Sequence, residues 1–218
     1  MLVKVKQSKS EKILLIFLIL LAFFSLSSLF LIKNKCFFVK KVNLKKLSFK
    51  HPENILIMNI NCGNVVIELM PEISPNAVKR FKTLVSNKEY DDVAFYRVVE
   101  GFLVQAGDLE FGKRNNLNYA LLGSGESNYG LIKPEKENPF DFKKGSIGFA
   151  KSKNGDVEDS EFFILLSDAP LFEGEYTPLG KVTHGFKALT KIKTGNNSEY
   201  VLRPDFINSL KLLSEITN

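Results

Sequence analysis

The chain has 218 residues, 44% of them hydrophobic and 25% charged, enough for one globular domain with an appendage and too few for a large multidomain enzyme. Thirty Lys and Arg against 24 Asp and Glu give +6, but residues 1–50 hold eleven lysines and one acid, Glu11, so residues 51–218 carry −4. A domain that is itself mildly acidic lacks the basic face that phosphate neutralisation requires, which argues against a nucleic-acid partner.

Two cysteines and two histidines cannot build a Cys/His zinc site with the usual spacings. Cys36 sits just past an apolar run and Cys62 in a turn, so two free thiols are expected, and cysteine usage leaves the redox compartment open.

Residues 1–12 are a basic tail carrying Lys4, Lys6, Lys9 and Lys12. Residues 13–32 follow with no charge, interrupted only by Ser25, Ser27 and Ser28. As a helix, these twenty residues span about 30 Å, the thickness of a hydrocarbon core, with lysines at both ends to sit among headgroups. The reading is a single transmembrane anchor. A cleaved secretory signal is the rival, with Ser25-Leu26-Ser27 as a small-x-small site, but cleavage there would leave Leu29 to Ile32 as an exposed apolar stub. The expected location is a membrane, single-pass, with the domain extracytoplasmic or lumenal, or secreted if the segment is cleaved. Residues 33–54 alternate lysines with Phe37, Phe38, Leu44, Leu47 and Phe49, which fits either a strip lying on anionic lipid or a solvated spacer.

Residues 55–218 read as the folded domain. Ile55–Ile60 and Val65–Leu69 form two strands about the turn Asn61-Cys62-Gly63-Asn64, with Val65, Ile67 and Leu69 on one face. Ser74 is placed to cap a helix that has Pro75 at its first position and an apolar stripe of Val78, Phe81 and Val85. Short β-type runs follow at 93–99, 102–105, 146–150, 161–166 and 179–182, separated by Gly, Asp and Pro. Phe186, Leu189 and Ile192 mark a second short helix, His184 before it has a surface or capping role, and 206–213 returns as an edge strand. Many short strands with two helices indicate a mainly β domain, a closed barrel with helical caps.

No GxSxG, GxxxxGK[ST], HExxH or GxGxxG-helix signature is present. The conspicuous stretch is Phe95-Tyr-Arg-Val-Val-Glu-Gly-Phe-Leu-Val-Gln-Ala-Gly-Asp108, because an arginine inside an apolar strand is costly unless its charge is paired or used.

FYRVVEGFLVQAGD resembles the cyclophilin signature F-H-R-x-x-x-G-F-x-x-Q-G-G-D. Three further segments, VVIELMPEISPNAVKRFKTLV, GSIGFAKSKNGDVEDSEFFI and LFEGEYTPLGKV, agree with that family in order and spacing, over about residues 55–195. The resemblance implies a peptidyl-prolyl cis-trans isomerase on an eight-stranded antiparallel barrel closed by two helices, needing no cofactor or metal. The expected clients are proline-containing polypeptides, with exported or membrane proteins foremost, and the expected state is a monomer. Matched residue by residue, the catalytic arginine falls on Arg97, with Phe102 and Gln105 beside it. The proline pocket falls on Phe102, Leu103, Phe163 and Phe172, with Leu171 at its rim, and the substrate backbone meets Gln105, Ala150, Lys151, Glu161 and Tyr176.

The chain departs from the family at several of these positions. Tyr96 replaces a His, Leu171 a Trp, Phe172 a Leu, Tyr176 a His, and Glu161 stands where the family has Gln. An ionised Glu161 only accepts hydrogen bonds, so it either pairs with Arg97 and blunts it or changes which peptides bind. The alternative function is accordingly a catalytically weak cyclophilin-like module that binds peptides as a scaffold at a membrane.

Overall fold

A computed structural model describes residues 8–33, 35–152, 155, 157–195 and 199–216. Lys4 and Lys6 of the basic tail lie outside the described residues, as do Lys153, Asn154 and Asp156 of the third resembling segment. The chain divides into two compact units, Met1–Phe38 and Val39–Asn218.

The first unit is built on helix α1, Lys9–Lys33. It starts with a capping box. The Ser8 N–H donates to Glu11 Oε2 at 2.9 Å and the Glu11 N–H returns to Ser8 Oγ at 3.2 Å, satisfying two otherwise orphaned donors. Inside the apolar run Ser25 donates its hydroxyl to the Ala22 carbonyl at 2.8 Å, which removes the cost of a lone hydroxyl in an apolar medium. The stretch Lys9–Phe30 is long and apolar enough to cross a membrane, a description that a signal segment also meets.

The second unit is an eight-stranded antiparallel sheet in the order β10-β1-β2-β8-β6-β7-β5-β4. Its strands are β1 (Ile55–Ile60), β2 (Gly63–Leu69), β4 (Arg97–Val99), β5 (Leu103–Ala106), β6 (Ser146–Phe149), β7 (Phe162–Leu165), β8 (Pro178–His184) and β10 (Ser209–Leu212). A separate two-stranded ladder joins β3 (Val93–Ala94) to β9 (Phe206–Ile207). The main ladder ends at β10 on one side and β4 on the other, so the sheet is a curled half-barrel; hydrogen-bonded closure, expected from the sequence, is not found among the described residues. The runs 93–99 and 206–213 each read as one strand but divide in two. Their first residues pair with each other, whereas Arg97–Val99 pairs with β5 and Ser209–Leu212 with β1.

Helix α2, Pro75–Ser86, buries Ala77, Val78, Phe81, Leu84 and Val85. Phe81 sits at the centre of the core, its ring 4.9 Å from Tyr90, 5.1 Å from Phe162 and 5.8 Å from Phe149. Ser74 occupies the expected N-cap position but its hydroxyl oxygen accepts no helix N–H; a carboxylate from far along the chain does the work instead. Glu135 Oε2 accepts the Ala77 N–H at 2.8 Å and Oε1 accepts from Asn76 Nδ2 at 2.7 Å, placing negative charge at the helix N-terminus. Glu135→Ala is therefore expected to lower unfolding stability by about 1 kcal/mol, with Glu135→Gln retaining most of it, as read from urea denaturation midpoints.

The second helix, α3, is a single turn, Phe186–Leu189, with Ile192 buried just beyond it. Gly185 before it has φ +79°, and a Cβ there would lie 2.1 Å from the Asn64 carbonyl, so only glycine lets this turn close on β2. His184 is exposed at the end of β8, its ring 6.4 Å from Phe49. A last turn, α4 (Leu213–Ile216), follows β10.

The basic stretch before β1 is not detached from the sheet. Val42, Leu44, Leu47 and Phe49 pack against Ile55, Ile57 and Val66, while Lys40, Lys41, Lys45, Lys46 and Lys50 are exposed. The expectation of free thiols is corrected: Cys36 and Cys62 are both disulfide-bonded, and no described cysteine is free.

Candidate active site

Alternation along β7 separates two environments with adjacent residues. Phe162 points to the α2 side, among Phe81 and Tyr90, whereas Phe163 points to the other face, where its ring lies 5.3 Å from Phe172, 5.3 Å from Tyr176 and 6.1 Å from Phe142. The register carries this face across the sheet. Arg97 on β4 is opposite Gln105 on β5, Gln105 is opposite Phe163 on β7, and Phe163 is opposite Gly148 on β6. One row thus runs from a guanidinium through an amide to an aromatic floor. Gly148 makes room for that floor, since a Cβ there would lie 2.8 Å from Phe163 Cζ and 2.9 Å from the Thr177 carbonyl.

A cleft of about 460 Å³ opens over this row. Arg97, Phe102, Leu103 and Gln105 line one part of it, and Ala150, Lys151, Glu161, Phe163, Phe172 and Tyr176 the other, so these residues named from the sequence meet in one place. Leu171 does not line it: on the 3-10 turn Pro170–Phe172 its side chain is 87% exposed. Phe102 and Phe172 meet edge to face at 5.7 Å, and with Leu103 and Phe163 they make an apolar concavity. Lys151 donates to Glu175 at 3.0 Å and lies 5.1 Å from the centre of the Tyr176 ring.

The polar side is a chain of hydrogen bonds. Arg97 Nη1 donates to Gln105 Oε1 at 3.1 Å, and Gln105 Nε2 donates to Glu161 Oε2 at 2.9 Å. Tyr96, buried beneath, donates its hydroxyl to the same Glu161 oxygen. Burial first, then the nearby Glu161 charge, pushes the Tyr96 hydroxyl well above the ordinary tyrosine range, so Tyr96 remains a donor at neutral pH. The carboxylate that pairs with Arg97 is not Glu161 but Glu199, whose Oε2 lies 2.8 Å from Nε and 2.7 Å from Nη2. Glu161, by contrast, ties Tyr96 to Gln105.

The loop after β5 is held from within. Asp108, fully buried, accepts the N–H groups of Phe111 at 2.8 Å and Gly123 at 2.7 Å. Gly123, at φ +77°, borders the cleft, and a Cβ there would lie 2.9 Å from the Tyr96 ring. Gly123, Glu199 and Tyr200 were not anticipated as site residues. Glu199 and Tyr200 stand about a hundred positions from Arg97 in a stretch with no motif, so no local signal marks them.

The fold and cleft define an apolar-floored, arginine-edged concavity on an antiparallel half-barrel. Residues 55–212 match the family model "Cyclophilin type peptidyl-prolyl cis-trans isomerase/CLD". A probable peptidyl-prolyl cis-trans isomerase of Brucella suis is 40% identical over 159 residues, covering 72% of this chain and 81% of that protein. A peptidyl-prolyl cis-trans isomerase of Helicobacter pylori is 31% identical over 170 residues, covering 77% and 94%. Among solved structures, a cyclophilin-type isomerase of Cryptosporidium parvum, determined in the presence of the dipeptide Ala-Pro, superposes with a TM-score of 0.62 at 25% identity, covering 72% and 98%. Cyclophilin AquaCyp293 of Hirschia baltica superposes with a TM-score of 0.63 at 21% identity, covering 75% of each chain. The chain belongs to the cyclophilin family of peptidyl-prolyl cis-trans isomerases.

Proposed function

We propose that this isomerase acts on X-Pro bonds of polypeptides at the oxidising side of a membrane, to which α1 tethers it. The chemistry rests on the row Arg97–Gln105–Phe163. Rotation about the bond loses amide resonance and faces about 18–20 kcal/mol. Seating the proline ring on Phe102, Leu103, Phe163 and Phe172 holds one end of the bond in a dry pocket while the rest of the peptide turns. The prolyl nitrogen becomes pyramidal as resonance breaks, and the Arg97 guanidinium donates to the lone pair released there. This interaction exists only in the twisted state, so it accelerates rotation rather than merely tightening binding. Gln105 and Glu161 meet the substrate backbone, along with Ala150, Lys151 and Tyr176. The isomerase reading is favoured over the weak scaffold because the carboxylate paired with Arg97 is Glu199, while Glu161 accepts from Tyr96 and Gln105.

The location rests on the two cysteines. Disulfides persist in oxidising compartments and are rare where glutathione and thioredoxin keep thiols reduced, and both cysteines of this chain are bonded. With α1 as the anchor, the domain works on exported or membrane clients. The test is maleimide alkylation of the full chain in intact cells without prior reduction, combined with external protease. No alkylation and cleavage from outside are expected; thiols that react and a protected domain would place it on the reducing side.

The lysine face before β1 belongs to the same reading. Packing of Val42, Leu44, Leu47 and Phe49 on the sheet turns Lys40, Lys41, Lys45, Lys46 and Lys50 outward together, and each contributes about 1 kcal/mol near an anionic surface. In full-length protein reconstituted into bilayers, these lysines are expected to acylate several-fold more slowly in anionic than in zwitterionic lipid. Equal labelling in both would leave them as a solvated face.

A further inference from the structure

The stretch Glu199–Val201 is not one of the eight strands, yet it pairs with the exposed edge of β4. The Val98 N–H donates to the Glu199 carbonyl at 2.7 Å, the Val201 N–H donates to the Tyr96 carbonyl at 2.9 Å, and Arg97 bridges Tyr200. The Tyr200 ring stacks on Tyr96, with centres 6.2 Å apart. The loop carrying this stretch is fastened at its base: Asp205 accepts the Lys193 N–H at 2.8 Å and Asn61 Nδ2 at 2.8 Å, and Lys193 Nζ donates to the Leu202 carbonyl at 3.1 Å. Glu199 is thus delivered to Arg97 by a built element rather than by a wandering side chain.

We infer that Glu199 is a positioning residue for Arg97, setting the direction in which the guanidinium meets the prolyl nitrogen. The inference rests on Arg97 being the catalytic group. Glu199 Oε2 takes the edge formed by Nε and Nη2, and Gln105 Oε1 on β5 holds Nη1, so two acceptors from separate segments define the guanidinium plane. A guanidinium has five N–H groups, and those left on the terminal nitrogens remain for the substrate. Without Glu199, the side-chain contact left to Arg97 among the described residues is Gln105, at the end of a flexible stem. Its charge stays, but its aim is lost, and misplacement on the scale of an ångström is costly to a step that depends on orientation. The carboxylate is half-exposed, so its role here is geometric more than one of stability.

The test compares Glu199→Ala, Glu199→Gln and Arg97→Ala in the full chain, measuring kcat and KM for a proline peptide and the thermal midpoint. Glu199→Ala is expected to lower kcat about tenfold with KM and midpoint nearly unchanged, because a peptide still docks in the same pocket. Glu199→Gln keeps an acceptor in place and is expected to restore most of the activity. Wild-type or raised kcat in Glu199→Ala would overturn the inference, as would a Glu199→Gln variant no better than Glu199→Ala, which would make charge rather than aim the operative property. If Arg97→Ala itself retains full activity, the assignment of Arg97 fails first; if only Arg97→Ala is impaired, the positioning role alone fails.

Discussion

Replacing Arg97 by alanine is expected to lower kcat/KM for X-Pro isomerisation by about a hundredfold to a thousandfold, the cost of removing one preorganised donor from a developing charge. The fold should survive. Arg97 is on the last strand of the sheet, its side chain 29% exposed, and the carboxylate it leaves behind on Glu199 is 53% exposed and can return to water. Arg97→Lys should rescue little, because an ammonium cannot satisfy Gln105 on one side and Glu199 on the other while presenting further donors in one plane. A protease-coupled or exchange-based isomerisation assay, run beside far-UV circular dichroism, checks both parts. Undiminished turnover in a folded Arg97→Ala protein would mean that the lone pair at nitrogen is stabilised by something else in the cleft.

The same arginine shows how far a sequence reaches. FYRVVEGFLVQAGD exposes its alternation directly, and position 97 is legible as a polar residue that an apolar strand has to account for. The row Arg97–Gln105–Phe163 follows once β5 is placed between β4 and β7, a neighbour relation that the family resemblance supplies and hydrophobic periodicity does not. The β1–β2 hairpin and α2 were equally legible, because turn chemistry and a 3.6-residue stripe are local. Where one apolar run serves two ladders, as at 93–99, alternation continues smoothly through the break and conceals it.

What was illegible is nonlocal. The cap of α2 comes from Glu135, 58 positions from its nearest partner, Ala77, while a plausible local cap, Ser74, sits in place without serving as one. The counter-ion of Arg97 comes from Glu199, 102 positions away, and Glu161, the carboxylate that the family resemblance made suspect, accepts from Tyr96 and Gln105. Val42 to Phe49 look like spacer because lysines interrupt them. Only the sheet face formed by Ile55, Ile57 and Val66 makes their apolar side useful. In each case the residue type limits what a side chain can do, and the fold selects its partner.

Phe162 and Phe163 offer the sharpest test of that selection, since they are adjacent, alike and both almost wholly buried. Phe163→Ala and Phe162→Ala are each expected to lower stability by about 3–5 kcal/mol, the usual cost of removing a buried ring and leaving its cavity. Their effects on catalysis should differ. Phe163 is the floor of the proposed proline pocket, held by Phe142, Phe172 and Tyr176, whereas Phe162 faces Phe81 and Tyr90 on the other side of the strand. A proline ring that loses this floor forfeits burial of about three methylenes, roughly 2 kcal/mol, so kcat/KM per folded molecule should fall about thirtyfold in Phe163→Ala. In Phe162→Ala it should stay close to wild type. The assay belongs well below the thermal midpoints, and Phe162→Leu and Phe163→Leu repeat the comparison with a smaller stability loss. Equal catalytic losses from the two positions would mean that general loosening of the sheet, not removal of a pocket wall, governs the rate.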